Sequence, residues 1–253
     1  FFSTLRLIYK LNCRINDTVI KMLTQEYSTV LTSSMWFSSL PENLQCALLN
    51  KVRFRHLKAG QQLHAKGEEG IGFYGVCEGR LRVMNIGANG KEMLFALLGP
   101  GTWFGEISLF DDLPRTHNSV CEIDTVIAVI PKNAFNAVLK AHPELYPHFA
   151  RLLCSRVRSA FQFIDSSAGL NLQHQLIKRL LMLTTSYGQH LPQDCAITLT
   201  LSQESLAQMI NSSRQTVNQL LGDLQNQGLL HLHYGKITIS RPNALFALLV
   251  DEE

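Results

Sequence analysis

The chain has no apolar run approaching the roughly 20 residues that a membrane-spanning helix requires. Its opening stretch, residues 1–13, mixes Arg6 and Lys10 among apolar side chains instead of separating charge from a hydrophobic segment, which argues against a secretory leader. A cytoplasmic location with no membrane partner is the expectation. Short cysteine spacings are lacking too. Cys13, Cys46, Cys77, Cys121, Cys154 and Cys195 lie far apart, which excludes a zinc-finger pattern and a disulfide framework and leaves buried free thiols as the expectation. Charge of one sign is scarce: 23 Lys and Arg stand against 20 Asp and Glu, a net +3, so composition alone names no polyanionic partner. No nucleophile with its base, no metal-ligand set and no glycine-rich loop ahead of a helix appears, so the sequence offers no catalytic residue, no metal ligand and no sign of an enzyme. What is present, 46% hydrophobic and 17% charged residues over 253 positions, is enough for two compact domains.

Those domains differ in pattern. Between Leu57 and Ile130 glycine punctuates short segments rich in Val, Ile, Leu, Phe and Tyr, the signature of an all-β roll or barrel. Arg80 to Met84 alternates polar and apolar residues, and Ala88-Asn89-Gly90-Lys91 supplies a tight turn into a strand from Met93 to Leu98. Upstream, Leu44, Leu48 and Leu49 mark a helix for which Ser38 or Ser39 is the expected cap. Residues 1–35 form an amino-terminal extension, helical from Asp17 to about Leu31, with no assigned role. After Pro143, Ala150, Leu153, Val157, Ala160 and Ile164 recur at three- and four-residue steps, the spacing of a helix-helix seam. That stripe either dimerises the chain or packs on the roll. A further helix from Leu172 to Thr185 follows, and a domain boundary is expected near residues 168–172.

The carboxy-terminal block has helix-turn-helix spacing. Ser202 can cap a helix over Gln203–Ile210, Asn211 suits the left-handed turn, and Ser212 or Ser213 can cap a second helix from Arg214 to about Gln227. Val217, Leu220 and Leu221 face inward, while Ser212, Ser213, Arg214, Gln215, Asn218 and Gln219 form a polar row at the start of the second helix. Arginine can bind guanine bidentately and glutamine adenine, each pairing adding on the order of 1 to 3 kcal/mol of discrimination. A solvated polar face is the other reading of that row. Leu230 to Ile239, turning at Tyr234-Gly235, reads as a two-stranded wing.

The run from Ser202 to Leu221, with Ser213-Arg214-Gln215-Thr216-Val217 opening the second helix, closely resembles the helix-turn-helix of the cyclic-AMP receptor protein and FNR family of bacterial transcription regulators. The resemblance extends over about residues 36–241. It implies an α+β chain: a double-stranded β-helix or jelly-roll cyclic-nucleotide-binding-like domain over 36–142, a dimerisation helix over 143–169 and a winged helix-turn-helix over 170–253. It further implies a homodimer that binds double-stranded DNA, acts on RNA polymerase and answers a small-molecule effector, cyclic AMP or another cyclic nucleotide. The family arginine matching Arg214 contacts guanine. Gln215 stands where the family often has glutamate, and Gln219 replaces a later arginine, so a different operator is expected. From Leu170 onward Lys178, Arg179, Arg214, Lys236 and Arg241 face six acidic residues, a formal −1, which predicts modest nonspecific affinity and a shallow salt dependence.

Phe104 to Phe110, followed by Pro114-Arg115-Thr116, resembles the phosphate-binding cassette of cyclic-nucleotide-binding domains. In that reading the turn at Gly105 cradles an anion, Glu106 accepts a ribose hydroxyl, Arg115 offers a planar fork to the phosphate, Thr116 adds a hydroxyl, and Arg156 matches a family arginine. Departures are His117, where the family carries a small alanine, and Ala160 and Phe161, where base-contacting hydroxyls are expected. They leave open a roll that has changed or lost its ligand, and a Glu106–Arg115 pair that merely ties the loop. An iron-sulfur cluster is not expected, because Cys13 stands alone near the amino terminus. A haem sensor would need Cys77, His56, His64 or His117 as axial ligand. A different class, a nucleotide-sensing module that regulates a protein partner, fits the low basic charge of the last block.

Overall fold

The computed structural model describes residues 26–87, 90, 92–167, 171–184, 196–210 and 212–249, with side chains to 161 in the third stretch. Among the described residues no helix is long and apolar enough to cross a membrane. Asn211, residues 168–170 of the expected domain boundary, Cys13, Cys195, the side chain of Ile164 and most of the 88–91 turn lie outside the described residues.

A helix described over 26–32 (α1) leads into α2 (Met35–Ser38) and α3 (Glu42–Leu49). The cap expected at Ser38 or Ser39 is elsewhere. Ser34 caps α2 by accepting from Phe37 N, whereas α3 begins after Pro41 with no side-chain cap. Ser38 and Ser39 sit at the end of α2, and their hydroxyls donate back to the carbonyls of Met35 and Trp36, so neither is available to α3. The extension contributes to the core: Leu31 is fully buried, and its carbonyl accepts from Trp103 Nε1 at 2.8 Å.

Two four-stranded sheets make the roll. One has the order β1 (Arg53–Leu57), β8 (Thr125–Pro131), β3 (Gly72–Glu78), β6 (Trp103–Phe104). The other runs β2 (Gln62–His64), β7 (Asn118–Cys121), β4 (Leu81–Ile86), β5 (Glu92–Leu98). Strands alternate or bury completely according to what covers them. Fully buried Gly72–Cys77 has sheet neighbours on both sides and helices above, while β4 alternates. A short helix α4 (Ile107–Phe110) interrupts the roll, and α5 (Lys132–Ala141) closes it. Between the sheets and helices lies an aromatic cluster, with Phe37 and Phe73 stacked on Trp103 at 5.0 and 5.1 Å and Phe149 meeting Phe73 and Phe135 edge-on. Buried aromatic pairs of this geometry each contribute about 0.5–1.5 kcal/mol beyond their area.

The long helix α6 (Leu145–Ser167) buries one stripe, Leu145, Phe149 and Leu152, against that cluster. Its next stripe faces outward: Tyr146, Val157 and Phe161 are each more than half exposed. Beyond it come α7 (Leu172–Thr184), β9 (Ile197–Thr200), α8 (Gln203–Met209), α9 (Arg214–Asn226), β10 (Leu230–His233), β11 (Lys236–Ile239) and α10 (Pro242–Ala247). The expected wing is present as β10–β11, and β9 adds an unforeseen third strand beside β11. The core of this half, built on Leu176, Leu180, Leu206, Val217, Leu221 and Leu224, also takes in Leu94 and Leu97 of β5. Roll and carboxy-terminal half therefore meet across β5, where Arg179 of α7, only 4% exposed, donates from Nη2 to the carbonyl of Leu94. Arg80 adds a bond from Nη1 to Thr198 O at 3.3 Å.

Of the described thiols Cys77 and Cys121 are buried, as expected. Cys46 and Cys154 are exposed, a correction that follows from their places on the outer faces of α3 and α6.

Candidate functional site: a cassette pocket and a reading helix

A cavity of about 320 Å³ opens between the cassette, the roll and α6, lined by Gly105, Glu106, Arg115, Thr116 and Arg156. All five residues expected to bind a ligand thus line one space. Phe104 and Ser108 of the cassette and the departures His117 and Ala160 line it too, and it also draws on residues the sequence did not single out for it, Val83, Leu98 and His64 among them. Its size falls at the small end of ligand pockets.

The charged groups are already engaged with one another. Gly105 has φ +98°, open to glycine, and a Cβ there would meet Arg115 Nη1 at 2.9 Å. That closeness lets Arg115 Nη1 donate to the Gly105 carbonyl at 2.9 Å while Nη2 donates to the Gly72 carbonyl at 2.8 Å. The guanidinium lies 5.2 Å from the centre of the Tyr74 ring, and the residue is 5% exposed. The terminal nitrogens of Arg115 therefore face two backbone carbonyls, where they tie the cassette to β3. The carboxylate partner of Glu106 is Arg156, with Nε 3.3 Å from Oε1, and not Arg115. Arg156 Nη2 also donates to Trp103 O at 2.7 Å. Glu106 is 2% exposed, and among the described residues its Oε2 is buried without a hydrogen-bond partner. An acceptor in that condition fits a ligand hydroxyl, because a buried unpaired oxygen costs about 1–3 kcal/mol.

Both histidines are held neutral. Burial, then the positive charge of Arg115, pushes His64 down to about 4, and its ring stacks beside Tyr74. Burial, then Lys66, lowers His117 as well. His117 Nδ1 shares a hydrogen bond with Thr116 Oγ1 at 2.8 Å, and its ring meets the edge of Phe95 with centroids 4.4 Å apart. Cys77, considered above as an axial ligand, packs in the aromatic core and not on this cavity. Among the described residues no cluster of His, Cys, Asp and Glu is arranged to hold a metal ion.

The second site is local. Ser202 Oγ accepts from Ser205 N and Ser213 Oγ from Thr216 N, both at 3.0 Å, so α8 and α9 start where their hydroxyl caps place them. Ser213 is the cap of α9, and Ser212 is not. Val217, Leu221 and Leu224 bury one face of α9. The opposite face presents Ser213, Arg214, Gln215, Asn218 and Gln219 to solvent, with Ser212 half-buried beside them. Gln225 Oε1 accepts from Leu232 N at 2.7 Å, fixing the wing against the helix. Burial of Arg179 removes one of the five positive charges of this half from its surface.

Among known protein families, residues 54–142 match the cyclic nucleotide-binding domain and residues 174–248 the Crp-like helix-turn-helix domain. The chain is 26% identical over 211 residues, 83% of this chain and 94% of the other, to the CRP-like cAMP-activated global transcriptional regulator of Mycobacterium tuberculosis. It is 27% identical over 196 residues, 77% of this chain and 88% of the other, to the global nitrogen regulator of Synechococcus elongatus. The solved structure of a transcriptional regulator of the CRP/FNR family from Thermus thermophilus superposes with a TM-score of 0.61 at 26% identity, covering 79% of this chain and 100% of that one.

Proposed function

The chain belongs to the cyclic-AMP receptor protein and FNR family of transcription regulators, which are not enzymes, and from that premise we propose a DNA-binding homodimer whose operator affinity is set by an anionic effector in the roll. The observation that carries the reading is the pairing, in one chain, of a cassette pocket with an unmatched buried carboxylate oxygen and a capped helix whose polar face is exposed.

Gly105, Glu106, Arg115, Thr116 and Arg156 form the effector site. Glu106 accepts a hydroxyl, Thr116 and the backbone of the Gly105 turn receive the anion, and Arg156 holds Glu106 in place. Arg115 shapes the turn through Gly105 and Gly72, a role that does not require its fork to reach the ligand. A cyclic nucleotide is the first candidate, because the matching domain is a cyclic nucleotide-binding one. Ser212, Ser213, Arg214, Gln215, Asn218 and Gln219 form the DNA-reading surface, with Arg214 on guanine and the amides on adenine. Two copies joined along the exposed stripe of Tyr146, Val157 and Phe161 place two such helices about one helical turn of DNA apart. The boundaries near 142 and 169 then separate sensor, dimer helix and reader. The bound dimer addresses RNA polymerase in the cytoplasm.

One specific observation favours a changed ligand over cyclic AMP itself: His117 and Ala160 line the cavity where a small residue and a hydroxyl are expected. Isothermal titration with cyclic AMP and cyclic GMP, beside a Glu106→Gln control, decides between them. Heat that disappears in the control establishes the cyclic nucleotide. No heat with either nucleotide, from protein that still binds a selected operator, establishes a different ligand or none.

A further inference from the structure

The two halves of the molecule share β5, and β5 carries an irregularity next to the pocket. Val83 pairs with Ala96 and Met84 with Leu94, so Phe95 is the extra residue of a β-bulge. A bulge re-aims the side chain it displaces. Here the Phe95 ring meets the ring of His117, which in turn holds the hydroxyl of Thr116 at the cavity wall. On its other side the same peptide unit is committed to the DNA-reading half. The carbonyl of Leu94 accepts from buried Arg179, and the Leu94 side chain, fully buried, packs into the core formed with Leu176, Leu180 and Leu206. Carbonyl of Leu94 and nitrogen of Phe95 belong to one planar group, so neither moves without the other.

We propose that His117 is the positioning residue that passes pocket occupancy to the DNA-reading half, through Phe95 and the Leu94–Phe95 peptide to Arg179. The inference rests on the reading of the cavity as an effector site. An anion received by Thr116 competes for the hydroxyl that His117 now holds. Release of that bond frees the imidazole to turn on Phe95, and the peptide shared with Arg179 follows. The device combines contiguous contacts from site to site with a hydrogen bond at the cavity wall that an anion on Thr116 would replace.

Hydrogen exchange of the full chain without any ligand tests the relay. His117→Ala is expected to speed exchange of amides 172–184 by about three- to tenfold, the range that loss of an aromatic contact produces, and to match Arg179→Met. His117→Phe, which keeps a ring against Phe95 but cannot hold Thr116, falls between wild type and His117→Ala. Should His117→Ala not fold, His117→Asn, which keeps a polar partner for Thr116 but lacks the ring, makes the same comparison. Exchange that rises only in 92–98 and 115–121, with 172–184 unchanged, overturns the proposal, and so does a His117→Phe protein as loose as His117→Ala. Cyclic AMP is then added to each protein. Its failure to bind contradicts the cyclic-nucleotide reading alone, because the variants are judged without it.

Discussion

The pocket and the reading helix are built on opposite plans. In the pocket the polar groups are largely engaged within the fold, Arg115 by two carbonyls, Glu106 Oε1 by Arg156 and Thr116 by His117, with Glu106 Oε2 left without a hydrogen-bond partner among the described residues. On α9 the functional side chains face solvent, and only the cap and the inward leucines hold the helix. A closed site whose polar groups are mostly engaged couples ligand binding to conformation, since a ligand must exchange one set of contacts for another. An open row of side chains reads whatever is placed against it and transmits nothing by itself. The contrast predicts that changes to the exposed side chains after the cap of α9 alter binding at constant stability, whereas changes in the pocket alter stability first.

Removing Arg214 is the sharpest break of the comparison. Arg214→Ala deletes one bidentate contact per half-site, so a dimer is expected to lose about 2–6 kcal/mol of specific operator binding, with discrimination relaxed at that base and the melting temperature unchanged. Fluorescence anisotropy with wild-type and substituted operators checks both. Arg115→Ala should do the reverse: two carbonyls and the Tyr74 face lose their partner, and the roll loses about 3 kcal/mol in urea unfolding followed by Trp36 and Trp103 fluorescence.

Acid sharpens the same difference through His64, whose folded-state value of about 4 lies below its ordinary 6.5. The unfolded chain takes up the proton first, so the stability present above pH 6.5 falls as pH drops toward 4, by about 3 kcal/mol. His64→Gln should flatten that limb of the pH–stability curve. A slope identical to wild type would mean that the histidine is not the source. The smallest effect is at the cap: Ser213→Ala costs about 1 kcal/mol of stability and leaves the inward face of α9 in place.

How much was readable in the sequence divides along the same line. Ser202, Ser213 and the inward residues of α9 lie within a few positions of what they contact, so local chemistry located the two helices and the exposed polar row. The cassette from Phe104 to Thr116 was equally continuous. What the sequence concealed spans long separations. Glu106 finds Arg156 fifty positions away, His64 arrives from β2, and Arg179 reaches a carbonyl on β5. No periodicity announces such contacts, and a bulge that turns one phenylalanine shifts register without leaving a residue-type signal. Ser38 and Ser39 misled for a simpler reason: a hydroxyl before a hydrophobic run serves the helix behind it as readily as the one ahead.

The central claim, that occupancy of the roll sets operator affinity, is tested most directly by titrating a selected operator duplex into the full-length protein with and without saturating cyclic AMP. The account predicts an operator dissociation constant at least about fivefold different between the two conditions, and an equal factor in cyclic AMP affinity when DNA is present, as linkage demands. Cyclic AMP that binds while the operator isotherm stays unchanged would contradict it.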